Sequence, residues 1–200
     1  MFSERTDFLR NASKLCAIKK HLRKINFGFA SRYLYFNRGV FTAYCSHYAQ
    51  LPLCEVCHLI NTAEIDAGDL PYLEVKYLRG KAKAEYKASG RLVERGTPLI
   101  LVDGENSGEV FTTTETGYMG STFRELFVNP AYDFSFILLA IKLYQKDLRE
   151  NKTGSAIPHL NKRLFAELPL PLIPIALQKQ IVKVVNEYFS VLDNIAGSLN

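Results

Sequence analysis

The sequence lacks the features of exported and membrane proteins. It does not open with a charged stretch, an apolar core and a small-residue cleavage site, and no apolar run reaches the roughly 18 residues that a membrane span needs. Its four cysteines among 200 residues are irregularly spaced, which argues against a disulfide framework and fits a reducing compartment. We therefore expect a cytoplasmic protein that does not associate with a membrane.

The common catalytic signatures are also missing. The sequence contains no glycine-rich dinucleotide fingerprint, no methyl-donor loop, no nucleophile elbow and no nuclease carboxylate cluster. Residues 103–109, DGENSGE, have the glycine content of a phosphate loop, but their three carboxylates would repel phosphate and no Gly-Lys-Ser/Thr follows. We interpret this stretch as a tight turn between strands. The chain is predicted to bind rather than to catalyse, with no catalytic residue.

Cysteine and histidine come close together at residues 45–58. Residues 54–58, CEVCH, match the C-x-x-C-H pattern of covalent haem attachment, but attachment requires export and the surrounding apolar side chains indicate a buried element. A zinc set would consist of Cys45, His47, Cys54 and Cys57. Its C-x-H half lacks the usual spacing and no second C-x-x-C exists. Buried cysteines are the simpler interpretation, so no metal site is predicted, and a metal- or haem-dependent enzyme is the weakest alternative.

Charge is distributed unevenly along the chain. The net charge is +5, and residues 1–50 hold nine Lys/Arg against two Asp/Glu, so the remaining residues carry a balance of −2. Within that remainder, basic residues outnumber acidic ones at residues 76–95 and 142–163. Such local clusters can neutralise phosphates, although a solvated lysine-rich surface is their commoner cause.

Three regions are predicted from the pattern of apolar residues. Residues 1–50 combine a basic amphipathic helix with an aromatic hairpin, residues 51–170 form a strand-rich domain, and residues 171–200 form a proline exit and a helix. Helices therefore bracket a strand-rich middle, and the predicted fold class is α+β.

Four local predictions apply within the strand-rich domain. Residues 61–71 are predicted to be a loop because of their glycine and proline, and residues 83–92 a turn-rich connection. Residues 71–80 are predicted to be a strand, and residues 134–148 a helix with apolar side chains at helical spacing.

The end of the chain is predicted to be a long, coiled-coil-like helix. Pro169, Pro171 and Pro174 disfavour helix at the residues that precede them, so a helix cannot start before Pro174. The seam that follows has heptad spacing: Leu177, Ile181, Val184, Tyr188, Val191 and Ile195. A second stripe lies beside it: Gln178, Val182, Val185, Phe189 and Leu192. So wide a face must be covered, either by the chain's own domain or by another chain or copy.

Five stretches share a characteristic order and spacing over residues 51–195. They are LCEVC near residue 54, GRLVERGTPLILVDGENSGEVF at 90–111, GYMGSTFRELFV at 117–128, GSAIPHLNKRLFAELPLP at 154–171 and PLIPIALQKQIV at 171–182. Together they resemble the DNA-specificity (S) subunit of type I restriction-modification enzymes. The most recognisable of them is a proline cluster leading into a Gln-containing helix start, matched here by Pro171, Pro174, Gln178 and Ile181.

The resemblance implies a target-recognition domain joined to a spacer helix that packs antiparallel against its counterpart and sets the distance between two DNA half-sites. A full specificity subunit holds two such units, so this chain would act with a second half or as a homodimer. Its partners would be double-stranded DNA and the modification (methyltransferase) and restriction subunits. Those subunits would bind S-adenosylmethionine and ATP, while this chain would bind no cofactor and catalyse no reaction.

The candidate DNA contacts are basic residues and polar residues in predicted loops. Charge selects as phosphate contacts Lys76, Arg79, Lys81, Lys83 and Arg91. The loop candidates for base or backbone contact are Asn106, Ser107, Arg124, Ser155, His159, Asn161 and Lys162. The competing hypothesis is a non-enzymatic scaffold protein that dimerises through its terminal helices and binds protein through its middle. A steep loss of DNA affinity with rising salt would distinguish the DNA reader from the scaffold.

Overall fold

The computed structural model describes residues 47–154 and 158–197 of the chain. In the last helix it describes side chains as far as Glu187, and beyond that point those of Ser190 and Asn194. The predicted basic helix and aromatic hairpin, Cys45 and the DNA-contact candidate Ser155 lie outside the described residues.

Within these stretches the chain alternates between short strands and helices. The strands are β1 (Gln50–Pro52), β2 (Cys57–Ile60), β3 (Glu64–Leu73), β4 (Glu85–Val93), β5 (Pro98–Leu101), β6 (Val110–Thr112), β7 (Gly117–Met119), β8 (Phe123–Val128) and β9 (Pro169–Pro171). The helices are α1 (Val75–Leu78), α2 (Phe134–Leu143), α3 (Gln145–Glu150), α4 (Lys162–Ala166) and α5 (Ile175–Gly197), and a 3₁₀ turn spans Leu53–Glu55. The predicted mixture of strands and helices is confirmed.

The described strands form three sheets. β2, β8, β5 and β6 lie side by side in that order and pair antiparallel. β3, β4 and β7 close on one another into a small barrel, and β1 pairs with β9. The longest pairing is the antiparallel ribbon of β3 and β4, which runs from Glu64 opposite Arg91 to Tyr72 opposite Glu85. Residues 103–109 form the turn between β5 and β6, as predicted.

Three of the local predictions are wrong, and all three concern this ribbon. The predicted loop at residues 61–71 lies mostly in β3, and the predicted turn-rich connection at residues 83–92 lies mostly in β4. The predicted strand at residues 71–80 instead holds the end of β3 and helix α1. Since most side chains at the start of both strands are exposed, no alternation of apolar and polar residues marks the ribbon in the sequence.

Two apolar clusters lie on opposite faces of β5. The larger cluster packs against helices α2, α3 and α5 and includes Ile100, while the smaller one packs against the barrel and includes Leu99 and Leu101. Because successive side chains of a strand point to opposite faces, the fully buried β5 contributes to both clusters. The smaller cluster consists of Leu73, Val93, Leu99, Leu101, Met119 and Phe123.

Tyr118 of β7 holds the β3–β4 ribbon within the small barrel. Its side chain is fully buried, and its hydroxyl accepts a hydrogen bond from the Ala67 N–H at 2.9 Å. The same hydroxyl lies 2.9 Å from the Gly68 carbonyl and 2.8 Å from the Ala88 carbonyl, to either of which it can donate. A Cβ atom at Gly90 would come within 3.0 Å of the Tyr118 ring, so the absence of a side chain there lets the ring lie against β4.

Helix α5 begins directly after Pro174, as predicted. Pro169 and Pro171 lie in β9, which pairs with β1 on one side only, and a strand tolerates proline at such an edge. In the described part of the chain, none of the helices combines the length and the apolar character that a bilayer span requires.

The first turns of helix α5 dock on their own domain. Leu177, Ile181, Val182 and Val185 contact the larger apolar cluster, and Val184 is half-buried beside them. The side chains of the other predicted seam residues, Tyr188, Val191 and Ile195, lie outside the described residues. Pairing of this helix with a second helix therefore stays a prediction.

Candidate nucleic-acid interface

Three of the predicted phosphate contacts lie together on the connection between β3 and β4. Lys76 is in helix α1, Lys81 and Lys83 follow it, and all three side chains are exposed. Gly80 turns the chain with φ 67°, and the Lys81 N–H donates to the Lys76 carbonyl at 2.8 Å. The connection therefore presents a compact lysine cluster to solvent.

Arg79, on the same connection, is exposed but already paired with other side chains of the protein. Its Nε lies 3.4 Å from Glu109 Oε1, and its guanidinium also pairs with Glu109 Oε2. The guanidinium carbon lies 5.9 Å from the centre of the Phe111 ring, within the range of a cation–π contact. A phosphate would have to compete with Glu109 for Arg79, so Arg79 is a weaker candidate than its lysine neighbours.

A second group of cations lies on one face of the β3–β4 ribbon. Lys87 and Arg91 are four residues apart on β4, so their side chains point to the same face. The Lys87 ammonium lies 3.3 Å from the centre of the Tyr72 ring of β3. The Tyr72 hydroxyl in turn accepts a hydrogen bond from the Ser121 N–H at 3.0 Å, which ties the ribbon to the turn between β7 and β8.

Arg91 and Arg124 both bind that same turn. Arg91 donates to the carbonyls of Gly120 at 2.8 Å and Phe123 at 3.4 Å. Arg124 donates to the carbonyls of Phe123 at 2.7 Å and Ser121 at 3.3 Å. The structure thus brings together two sequence-predicted candidates that are 33 positions apart. We call the surface made by Tyr72, Lys87, Arg91, Ser121 and Arg124 the basic face.

No carboxylate forms an ion pair with the cations of the basic face among the residues the structure describes. Burial lowers the pKa of Arg91, and the nearby positive charge of Arg124 lowers it further, while Tyr72 and Glu64 act in the opposite direction. The Arg91 and Arg124 guanidinium groups repel each other, Glu64 offsets this repulsion only in part, and a bound anion would relieve the remainder. The basic face is therefore suited to a phosphate group.

A third group surrounds the turn of residues 103–109. His159 Nδ1 lies 2.6 Å from Asp103 Oδ1, and Lys152 Nζ lies 2.7 Å from Glu105 Oε2. The half-buried Asn106 lies in the same turn. Because acidic partners offset the cations here, this group attracts a polyanion less strongly than the basic face does, but its polar side chains remain available for hydrogen bonds.

Two predicted loop contacts have roles inside the fold. Ser107 is fully buried, and its hydroxyl donates to the Gly104 carbonyl at 2.5 Å. The next residue, Gly108, presses against helix α3, where an added Cβ would come within 2.7 Å of Leu148 Cβ. In this conformation the turn packs Ser107 inward, so its hydroxyl is not presented to a base.

Asn161 is the second of these. It is the N-cap of helix α4, and its Oδ1 accepts a hydrogen bond from the Leu164 N–H at 3.0 Å, which is the ordinary role of asparagine at that position. Lys162 begins the same helix with an exposed side chain, so it is free to reach a ligand where Asn161 is not.

The sequence interpretation missed Tyr72, Lys87 and Ser121 as part of the site. The spacing of Lys87 and Arg91 could have placed them on one face, had residues 83–92 been predicted as a strand. No sequence pattern marks Tyr72 or Ser121 as part of the site, because their role depends on a hydrogen bond between residues 49 positions apart.

The cysteine and histidine cluster has no metal geometry in the described residues. Cys57 is buried in the larger apolar cluster, and burial raises the pKa of its thiol to about 12. Cys54 is exposed. No group of three or more histidine, cysteine, aspartate or glutamate side chains is placed to hold a metal ion within the described stretches.

Comparison with known proteins gives consistent matches. Residues 52–200 match the family described as the type I restriction modification DNA specificity domain. The type I restriction enzyme MjaVIII specificity subunit of Methanocaldococcus jannaschii is 34% identical over 137 residues, which cover 66% of this chain and 31% of that subunit.

Solved structures share the fold at low sequence identity. A chain from a structure described as the basis of complex assembly and conformational transition of the type I R-M system matches with a TM-score of 0.59 and 15% identity, over 94% of this chain and 53% of the other. The HsdS subunit from Thermoanaerobacter tengcongensis matches with a TM-score of 0.56 and 14% identity, over 94% of this chain and 52% of that subunit. The S subunit of a type I restriction-modification system from M. genitalium matches with a TM-score of 0.53 and 18% identity, over 75% of this chain and 41% of that subunit. The chain thus spans about a third of the curated relative and about half of the first two solved chains.

Proposed function

We propose, from the premise that this chain belongs to the type I restriction modification DNA specificity domain family, that it recognises a DNA sequence as one half of a specificity subunit. The single observation that carries the proposal to particular residues is the basic face. It holds three cations together without an ion-paired carboxylate among the described residues, beside an aromatic ring. A duplex supplies phosphates at regular spacing and is the natural ligand of such a surface.

The three groups of side chains suggest a division of roles. The basic face and the lysines at positions 76, 81 and 83 would contact phosphates and set the register of the protein on the duplex. Asn106, His159 and Lys162 would supply hydrogen bonds to base edges, because these side chains lie in or beside loops and carry donors and acceptors. Ser107 and Asn161 have no part in this scheme.

The remaining parts of the proposal concern partners and organisation. Residues 51–170 would form the target-recognition domain, and residues 171–200 the exit and spacer helix. This helix would form a coiled coil with the helix of a second half or a second copy. The chain would work in the cytoplasm and catalyse nothing itself. It would direct modification and restriction subunits that carry S-adenosylmethionine and ATP.

The experiment is selection from a randomised duplex library at near-physiological salt, with the protein alone and with a modification subunit. We expect enrichment of a short motif, because base contacts from fixed loops discriminate between sequences by about 1–3 kcal/mol per contact. A complex with the modification subunit that enriches no sequence would contradict sequence readout by this chain. Absence of both complex and enrichment would favour a scaffold protein that dimerises through its terminal helices.

A further inference from the structure

Gln178 is a buried polar side chain at the base of helix α5. It is 1% exposed, and its helix neighbours Ile181 and Val182 belong to or contact the larger apolar cluster. Its Oε1 accepts a hydrogen bond from the Asp133 N–H at 2.8 Å, and its Nε2 donates to the Ile173 carbonyl at 2.9 Å. Because burial of an amide is costly unless the amide is hydrogen-bonded, these two bonds determine where Gln178 can lie.

The two hydrogen bonds join three parts of the fold. Asp133 is the N-cap of helix α2, where its Oδ1 accepts from the Phe136 N–H at 2.9 Å. Ile173 is a buried residue of the segment between β9 and α5. A single side chain therefore links helix α5 to the start of helix α2 and to the chain that leads into α5. An apolar side chain could fill the same space but could form neither bond.

We infer that Gln178 is a positioning residue that fixes the direction in which helix α5 leaves the domain. Apolar contacts are non-directional and tolerate tilting, whereas hydrogen bonds weaken steeply when their angles change. At about 1.5 Å per residue, the end of α5 lies about 28 Å beyond Gln178, so a tilt of about 10° moves it by about 5 Å. This displacement exceeds the roughly 3.4 Å rise of one base pair.

The consequence for DNA rests on the function proposed above, although the fixed direction itself does not. If α5 spaces two recognition domains, its direction at Gln178 determines which half-site spacings the assembled protein can span. Gln178 would then act on specificity without contacting DNA.

The direction of the helix can be measured with two nitroxide labels. Thr114→Cys places one label in the bend between β6 and β7, and Asn194→Cys places the other on α5; both native side chains are exposed. Cys57 can stay, because burial raises the pKa of its thiol to about 12 and keeps it unreactive, while the other three cysteines become serine. Pulsed electron paramagnetic resonance on the full chain then gives the distance distribution between the labels.

The decisive variant is Gln178→Met, with Gln180→Met as the matched control on an exposed face of the same helix turn. We expect Gln178→Met to shift or broaden the distribution by about 4 Å, the displacement at Asn194 for a tilt of about 10°. Gln180→Met should match the wild type. A folded Gln178→Met variant with the wild-type distribution would overturn the inference.

The wild-type protein decides the question if Gln178→Met does not fold. Hydrogen exchange at the Asp133 N–H should be slower by about tenfold or more than at the N–H of the exposed Ala131, which bonds to the Asn129 side chain at 3.0 Å. Equal exchange at the two amides would refute the role of Gln178. Since none of these measurements uses DNA, their failure is distinct from failure of the proposed function, which library selection tests.

Discussion

Arg91 and Arg124 are neighbours in the basic face, but their hydrogen bonds differ in how far they reach along the chain. Arg91 is half-buried, and its guanidinium bonds to two carbonyls of the turn between β7 and β8. Arg91 therefore links β4 to this turn and also adds positive charge to the surface. Arg124 is also half-buried, but its bonds to the same turn reach only three positions and one position back along the chain, and Lys87 is exposed above the Tyr72 ring. These two side chains are the ones to change in a test of DNA binding, because their loss disturbs the fold least.

The double variant Lys87→Gln with Arg124→Gln should bind duplex DNA more weakly. Loss of two phosphate contacts should make the slope of the log association constant against log salt concentration shallower by about two. The affinity for duplex DNA at near-physiological salt should fall by about tenfold or more. Fluorescence anisotropy titrations at several salt concentrations give both quantities.

The matched control is Lys142→Gln with Lys179→Gln, which removes the same charge from exposed positions on helices α2 and α5. This control should change affinity only through net charge. If both double variants lose affinity equally and keep the wild-type salt slope, the basic face does not contact phosphates.

At the scale of elements, the sequence predicts the end of the domain better than its middle. The start of helix α5 follows from the backbone chemistry of Pro174, which acts locally. The β3–β4 ribbon was missed because its stability is not local. Its strands are largely exposed, they carry glycine and charge, and they are held by mutual pairing and by Tyr118, which lies far away in the sequence.

The candidate site was predicted unevenly for the same reason. Charge alone selected Lys76, Lys81 and Lys83, which are exposed, because long basic side chains usually remain at the surface. For polar loop residues, the sequence did not indicate which side chains remain exposed and which bond to the protein's own backbone. Ser107 and Asn161 satisfy backbone groups in their own turn and helix, and small polar side chains commonly do so. Only the structure distinguishes these capping residues from polar side chains such as His159, which remain exposed.

Tyr118→Phe should loosen the β3–β4 ribbon without changing its shape. The ring remains, but the Ala67 N–H and the carbonyls of Gly68 and Ala88 lose a shared partner. We expect a loss of about 0.5–1.5 kcal/mol in the free energy of unfolding, because hydrogen bonds to the tyrosine hydroxyl are lost while the exposed residues Ala67, Gly68 and Ala88 keep access to water. Tyr86→Phe, at a ring that is 65% exposed on the same ribbon, should change stability by less than about 0.5 kcal/mol. Urea denaturation of both variants measures the difference, and equal stability would show that Tyr118 only fills space.

At the scale of the whole molecule, the proposed function makes DNA binding depend on the number of recognition domains in the assembly. The chain spans 31% of its curated relative and about half of the first two solved chains, and we propose that a single copy supplies one recognition unit. If two copies pair through helix α5, the pair has two-fold symmetry, and each copy presents the same surface to one half of an inverted repeat.

A duplex with two inverted copies of the selected motif should therefore bind far more tightly than a duplex with one copy. The second contact becomes intramolecular once the first has formed, and this raises the apparent affinity by about 10²-fold or more when the spacing fits. Titration of duplexes that differ only in a scrambled second motif, with sedimentation to count bound chains, measures the effect. Equal affinity for both duplexes, with one chain bound to each, would mean that the chain recognises its half-site as a monomer and that helix α5 pairs with a different protein.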